Sequence, residues 1–135
     1  MIAANLFYMS GGEKMKKMLP FMATVAITLL VAFVAVAFLL RPQTLEIGSV
    51  DLDMVTDGEY IGICQNKILL AVVRVDVKHH EITSIEVLEH KTSYMEKARQ
   101  IAANVCSSQS LDVDAVSGAT LTSDTVLKAI ENALE

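Results

Sequence analysis

Hydrophobic and polar positions change rhythm twice along this chain. Residues 19–40 read LPFMATVAITLLVAFVAVAFLL, without a charge. A helix of that length, at 1.5 Å per residue, covers about 33 Å, against a hydrocarbon core of about 30 Å. Pro20 falls at the start, where a missing N–H costs nothing, and Arg41-Pro42 ends the run. A helix apolar on every face needs cover on every side, and the rest of the chain is too small to give it. The pattern predicts one transmembrane helix over residues 19–40, behind an N-terminal segment of residues 1–18.

Past a linker, residues 41–49, the rhythm shortens to alternation. Val50, Leu52 and Met54 alternate with polar residues and predict a short strand or an extended lead-in. Thr56-Asp57-Gly58 is turn chemistry. Residues 60–64 predict a strand in which Gly62 thins one face, where a backbone or a ligand can come close. Gln65-Asn66-Lys67 makes a turn. Residues 68–77 are the strongest strand, with the β-branched run Val72, Val73, Val75 and Val77 pointing to burial. Lys78-His79-His80-Glu81 joins it to residues 82–88 as a hairpin.

The rhythm then lengthens to that of helices. Ser93-Tyr94-Met95-Glu96 has the spacing of a capping box, with Ser93 as cap and Glu96 returning the bond. Behind it Met95, Ala98, Ala102 and Val105 form one stripe, and Lys97, Arg99 and Gln100 lie outside it. A loop at residues 107–110 follows. A last helix, residues 124–134, turns Val126, Leu127, Ile130, Ala133 and Leu134 inward and Lys128 and Glu131 to solvent. Strands first and helices around them give an α+β domain over residues 50–135. It has a small, mainly antiparallel sheet with packed helices, preceded by the one N-terminal transmembrane helix.

Charge follows the same division. Residues 42–135 hold seven of the basic and fifteen of the acidic residues, a net charge of about −8. Nucleic-acid binding demands clustered Lys and Arg, so no nucleic-acid partner is expected. Lys14, Lys16 and Lys17 before the span outweigh Arg41 after it, which predicts a cytoplasmic N-terminus and an outward C-terminal domain. The rival is a cleaved signal peptide, with Ala35-Val36-Ala37 as the small-residue site. The apolar stretch exceeds the usual 7–15-residue core of such peptides, so an uncleaved anchor is expected.

Cys64 and Cys106 show no metal spacing and read first as separate thiols, with a disulfide as the sharper alternative outside the cytoplasm. His79, His80 and His90 lack a zinc spacing, and the adjacent pair falls in a predicted turn, so no metal site is expected. No nucleophile elbow, Walker loop or dinucleotide fingerprint is present, and no catalytic residue is assigned.

The chemistry gathers at Asp114-Ala115-Val116-Ser117-Gly118-Ala119-Thr120, followed by Leu121-Thr122-Ser123. It offers a carboxylate, several hydroxyls and a Gly-Ala pair that leaves the main chain uncovered. A helix start beyond it favours a phosphate, here through the N–H groups around Thr122 and Ser123. Alone, such a run is most often a plain loop and helix cap.

The run resembles the Asp-x-x-Ser/Thr-Gly-Ala-Thr flavinylation motif of the FMN-binding domain family, with every required position filled. Asp57-Gly58-Glu59-Tyr60-x-Gly62 and Ile82-Thr83-Ser84-Ile85-Glu86-Val87 extend the likeness over most of the chain after Arg41. The family includes the flavin-bearing subunits of the sodium-translocating NADH:quinone reductase and of the Rnf electron-transport complex. The resemblance implies covalent FMN on Thr120 through a phosphoester, installed by a separate flavin transferase that uses FAD and Mg. Asp114, Ser117, Gly118 and Ala119 match the surrounding pattern. Asp114 would belong to the transferase's recognition pattern and order the turn, while Ser117 would stabilise that turn or contact the phosphate. Leu121, Thr122 and Ser123 complete the expected cofactor site.

The function so implied is electron relay by a single-pass flavoprotein of the bacterial plasma membrane. Redox proteins or a membrane electron-transport complex would be its partners. An electron-transfer protein or oxidoreductase subunit fits better than a self-standing enzyme, because so small a domain leaves little room for a second substrate site. The rival from another class is a non-redox membrane interaction subunit that binds a phosphate ligand reversibly, or none.

Overall fold

The computed structural model describes residues 2–135, with side chains from residue 12 onward. It divides into two units, Met1–Leu40 and Arg41–Glu135.

The first unit is one helix, α1 (Ile2–Leu39), of 38 residues. Its stretch Gly12–Leu39 has a mean hydropathy of 2.7 and is a candidate membrane span by length and composition. Pro20 lies inside α1 and not at its start. Residues 13–19 are mostly good helix formers, so the helix runs on upstream. Pro20 has no N–H to give the Lys16 carbonyl. Phe21, Phe33 and Phe38 are each about 70% exposed. That exposure is costly in water and natural in lipid.

The second unit is α+β, as its pattern predicts. Strands β1 (Gly58–Asn66), β2 (Leu69–Lys78) and β3 (Glu81–Glu89) form an antiparallel meander in that order. Gly58 pairs with Val77, Cys64 with Ala71, and Val75 with Ile85. Strand alternation decides the inner face. Leu69, Ala71, Val73, Val75 and Val77 of β2 are buried, while the residues between them stay half open. Helices α2 (Met95–Ser108) and α3 (Thr120–Leu134) cover that face, α3 over β1 and β2 and α2 over β3. Ala98, Ile101, Ala102 and Val105 of α2 meet Val126, Leu127, Ile130 and Ala133 of α3 in one core. Cys64 and Cys106 are free thiols, and burial pushes the Cys64 thiol above its ordinary range.

Gly62 explains how closely α3 approaches the sheet. A Cβ there would stand 1.9 Å from the Ala129 carbonyl oxygen and 2.7 Å from Ala133 Cβ. The close neighbour foreseen at this glycine is thus a helix backbone. His79 and His80, both with positive φ, form the β2–β3 turn, the geometry that the strand twist favours. His79 N–H donates to Asp57 Oδ1 at 2.7 Å, and the His80 ring lies 3.2 Å from the Leu52 and Val55 carbonyls.

Several expectations need correction. Leu52–Met54 is a 3-10 turn and not a strand, because the Asp51 carboxylate accepts the Asp53 N–H and bends the chain. Ser93 does not cap α2. It sits inside a 3-10 turn, Thr92–Tyr94, so α2 starts at Met95 without a side-chain cap. Residues 107 and 108 extend α2, which ends at Gln109 in left-handed geometry. Residues 41–49 are no free linker: Gln43 pairs with the Asn66 side chain, Leu45 N–H donates to Asp124 and Gly48 N–H to Glu131. Glu131 is accordingly buried and not in solvent, its carboxylate also 3.0 Å from Lys128 Nζ.

Candidate functional site

The segment between α2 and α3 is held at both ends. Gln109 grips the start of β3, its amide donating to the Ile82 and Cys106 carbonyls and its oxygen accepting from Ile82 N–H. Leu111, Val116 and Ala119 sink into the core. Between the last two the chain makes a β-turn, with Ala119 N–H donating to the Val116 carbonyl at 2.9 Å. Gly118 is its third residue, at φ +74. A type II turn needs positive φ at that position, which is the physical reason for glycine here.

Two side chains brace the turn from behind. Ser123 is fully buried; its hydroxyl donates to the Ala119 carbonyl at 2.8 Å and accepts from Val116 N–H at 3.0 Å. Lys97 reaches over from α2 and donates from Nζ to the Ser117 carbonyl at 2.7 Å. The helical stripe puts Lys97 outside, yet it is half-buried against the turn. A long flexible stem can bend to a carbonyl that periodicity does not reveal.

α3 begins at Thr120, four residues earlier than the sequence pattern gives. Its cap position is Ala119, which has no side chain to bond the first N–H groups. An alanine cap is invisible to the usual start signals, and that accounts for the misplaced boundary. Ser123 N–H is already bonded to the Ala119 carbonyl at 2.9 Å. The donors left over in the first turn are therefore those of Thr120, Leu121 and Thr122. Ser123 offers neither its N–H nor its hydroxyl to a ligand. Its part in the site is to hold the turn.

Thr120, Ser117, Gly118 and Asp114 are exposed. The Asp114 carboxylate makes no hydrogen bond among the described residues, so the turn is ordered by Ser123 and Lys97 in its place. Thr122 is buried, its hydroxyl 3.2 Å from His90 Nε2. With Gly118 to Leu121 it lines an open pocket of about 370 Å³. The far wall comes from Pro42, Ile68, Tyr94 and Lys91. A recess of about 460 Å³ beside Asp112 and Asp124 contains no residue of the motif.

These groups fit a flavin mononucleotide. Free N–H donors at an uncapped helix start suit a phosphate, and an aromatic and aliphatic wall suits a flat ring system. The model of the FMN-binding domain matches residues 69–135, and this part of the chain belongs to that family. No curated protein matches the chain. The protein is thus a flavin-binding protein with FMN as its cofactor and one candidate membrane span at its N-terminal side.

Proposed function

We propose that this protein is a membrane-anchored flavoprotein that carries FMN covalently on Thr120 and relays electrons on the outer side of a bacterial plasma membrane. The observation that carries the reading is the state of Thr120. It is an exposed residue at the first position of a helix whose cap has no capping side chain, in the lining of a pocket that also includes Tyr94, Ile68 and Pro42. The FMN-binding domain match over residues 69–135 supports the cofactor.

Attachment follows from the residues present. The Thr120 hydroxyl oxygen forms a bond to the flavin-side phosphorus of FAD. The bond from that phosphorus to the bridging oxygen breaks, AMP leaves with that oxygen, and the hydroxyl proton passes to solvent. A flavin transferase, using FAD and Mg, supplies the activation that this chain lacks. The N–H groups of Thr120, Leu121 and Thr122, left over at the start of α3, would hold the phosphate. Ile68, Tyr94 and Pro42 bound the space for the ring and keep water from one side of it. Bound FMN supplies one- and two-electron chemistry, while the protein fixes its orientation and surroundings. A phosphoester keeps the cofactor from diffusing away outside the cytoplasm, where lost FMN is not replaced. Redox proteins or a membrane electron-transport complex are the partners that such a relay needs.

Orientation rests on Lys14, Lys16 and Lys17 before the apolar span. The test is protease added to intact spheroplasts of a producing strain, followed by a denaturing gel viewed for flavin fluorescence. The expected result is a fluorescent full-length band that protease removes. A band that fluoresces but stays protected overturns the orientation. A band that never fluoresces, with an active transferase present, favours the interaction subunit.

A further inference from the structure

Residues 42–135 hold seven basic side chains in an acidic domain. Arg74, Arg99 and Lys128 lie beside the carboxylates of Glu86, Glu96 and Glu131. Of the other four, Lys67 and Lys78 belong to the β1–β2 turn and the end of β2. Lys91 stands in the pocket wall near Tyr94, and Lys97 grips the acceptor turn. Neither Lys91 nor Lys97 has a carboxylate partner within salt-bridge distance among the described residues.

Lys97 is the more committed of the two. Its ammonium donates to the Ser117 carbonyl at 2.7 Å, across a separation of 20 residues. It also stands 3.2 Å from where a Cβ would be on Gly118. Glycine at 118 thus meets two demands at once, the positive φ of the turn and room for the ammonium. An ammonium has three donors, and the Ser117 carbonyl uses one. The remaining two lie at a turn, Val116–Ala119, that ends one residue before Thr120.

We propose that Lys97 is a positioning residue for flavin attachment: it fixes the Ser117–Gly118 peptide so that the Thr120 hydroxyl is presented, and its charge offsets that of the incoming phosphate. The proposal rests on the reading of Thr120 as the acceptor. A charge-assisted bond to a main-chain carbonyl is among the stronger ways to hold an exposed turn. The substrate, FAD, brings a charged pyrophosphate toward a domain whose net charge is about −8 by residue count. A cation beside the acceptor lowers that local repulsion. The bonds made and broken are those of the attachment step above, and Lys97 takes no proton in it.

The test uses full-length protein in detergent with purified flavin transferase, FAD and Mg, and reads the rate of covalent flavin incorporation by in-gel fluorescence. Lys97→Met is expected to lower kcat/KM for the acceptor about 10- to 100-fold, the worth of a charged hydrogen bond. Lys97→Arg is expected to restore most of it, and Arg99→Met, on the same helix, to label like wild type. Salt screens the Lys97 charge, so the gap in rate between wild type and Lys97→Met is expected to narrow as salt is added, a readout that a purely structural brace would not move. Lys97→Met labelled at the wild-type rate overturns the proposal and leaves the acceptor intact. So does a slow Lys97→Met with a matching loss of melting temperature, no rescue by Arg and an unchanged salt slope. Wild type that stays unlabelled overturns the Thr120 reading itself, and this proposal with it.

Discussion

His90 Nε2 lies 3.2 Å from the Thr122 hydroxyl, tying the chain just past β3 to the first turn of α3. His90 Nδ1 is 2.9 Å from the Leu70 carbonyl. A carbonyl only accepts, so Nδ1 donates to it, while Nε2 pairs with the Thr122 hydroxyl. The start of α3 is thereby fastened to the sheet through a buried imidazole. Thr122→Val keeps the shape and removes the hydroxyl, leaving a buried nitrogen unpaired. A loss of about 1–3 kcal/mol in thermal denaturation is expected, with flavin attachment retained. Unchanged stability would show that this bond does not hold the turn.

Gly62 lets α3 rest on β1. Gly62→Ala puts a methyl 1.9 Å from the Ala129 carbonyl oxygen, a main-chain atom that moves only if the helix moves. Overpacking of this kind typically costs about 1–3 kcal/mol, and a backbone obstacle sets the upper end or beyond. Urea unfolding of the detergent-solubilised protein measures it. A variant as stable as wild type would mean that α3 sits farther from the sheet.

Glu131 gives the domain an acid-sensitive joint. Burial raises its carboxyl, but the Lys128 bond and the Gly48 N–H outweigh that and leave it below its ordinary value of 4.5. A depressed carboxylate contributes stability that is full above the unfolded value and fades as pH falls through the lower folded one. Wild type should therefore melt above Glu131→Gln at neutral pH, and the gap should close below about pH 4.5. A gap that stays constant into that acid range would contradict the assignment.

Much of the fold is legible because its periods are clean. The charge-free run to Leu40 and the alternation in β2 leave few alternatives, and the His79-His80 turn falls where two apolar runs break. Failures cluster where a local side chain overrides the pattern. Asp51 bends the expected first strand, Glu131 is drawn under the lead-in by Gly48, and Ala119 caps a helix without looking like a cap. The site divides the same way. Gly118 is explicable from turn geometry alone, whereas Thr120 as acceptor rests on the family likeness. The pocket wall was not legible, since Pro42, Ile68, Lys91 and Tyr94 come from separate segments that only the fold brings together. Lys97 looked like a solvent residue because helical period records direction, not reach.

The central claim is that Thr120, and no neighbouring hydroxyl, carries the flavin. Ser117, Thr122 and Ser123 all lie within three residues, but Thr122 and Ser123 have their hydroxyls buried and bonded. Intact-mass analysis of protein co-produced with an active flavin transferase, followed by peptide fragmentation, decides it. The account predicts an added mass of one FMN less one water, placed on Thr120, absent from a folded, colourless Thr120→Ala and reduced in Asp114→Ala. The same added mass on Thr120→Ala, or its absence from wild type, would contradict it.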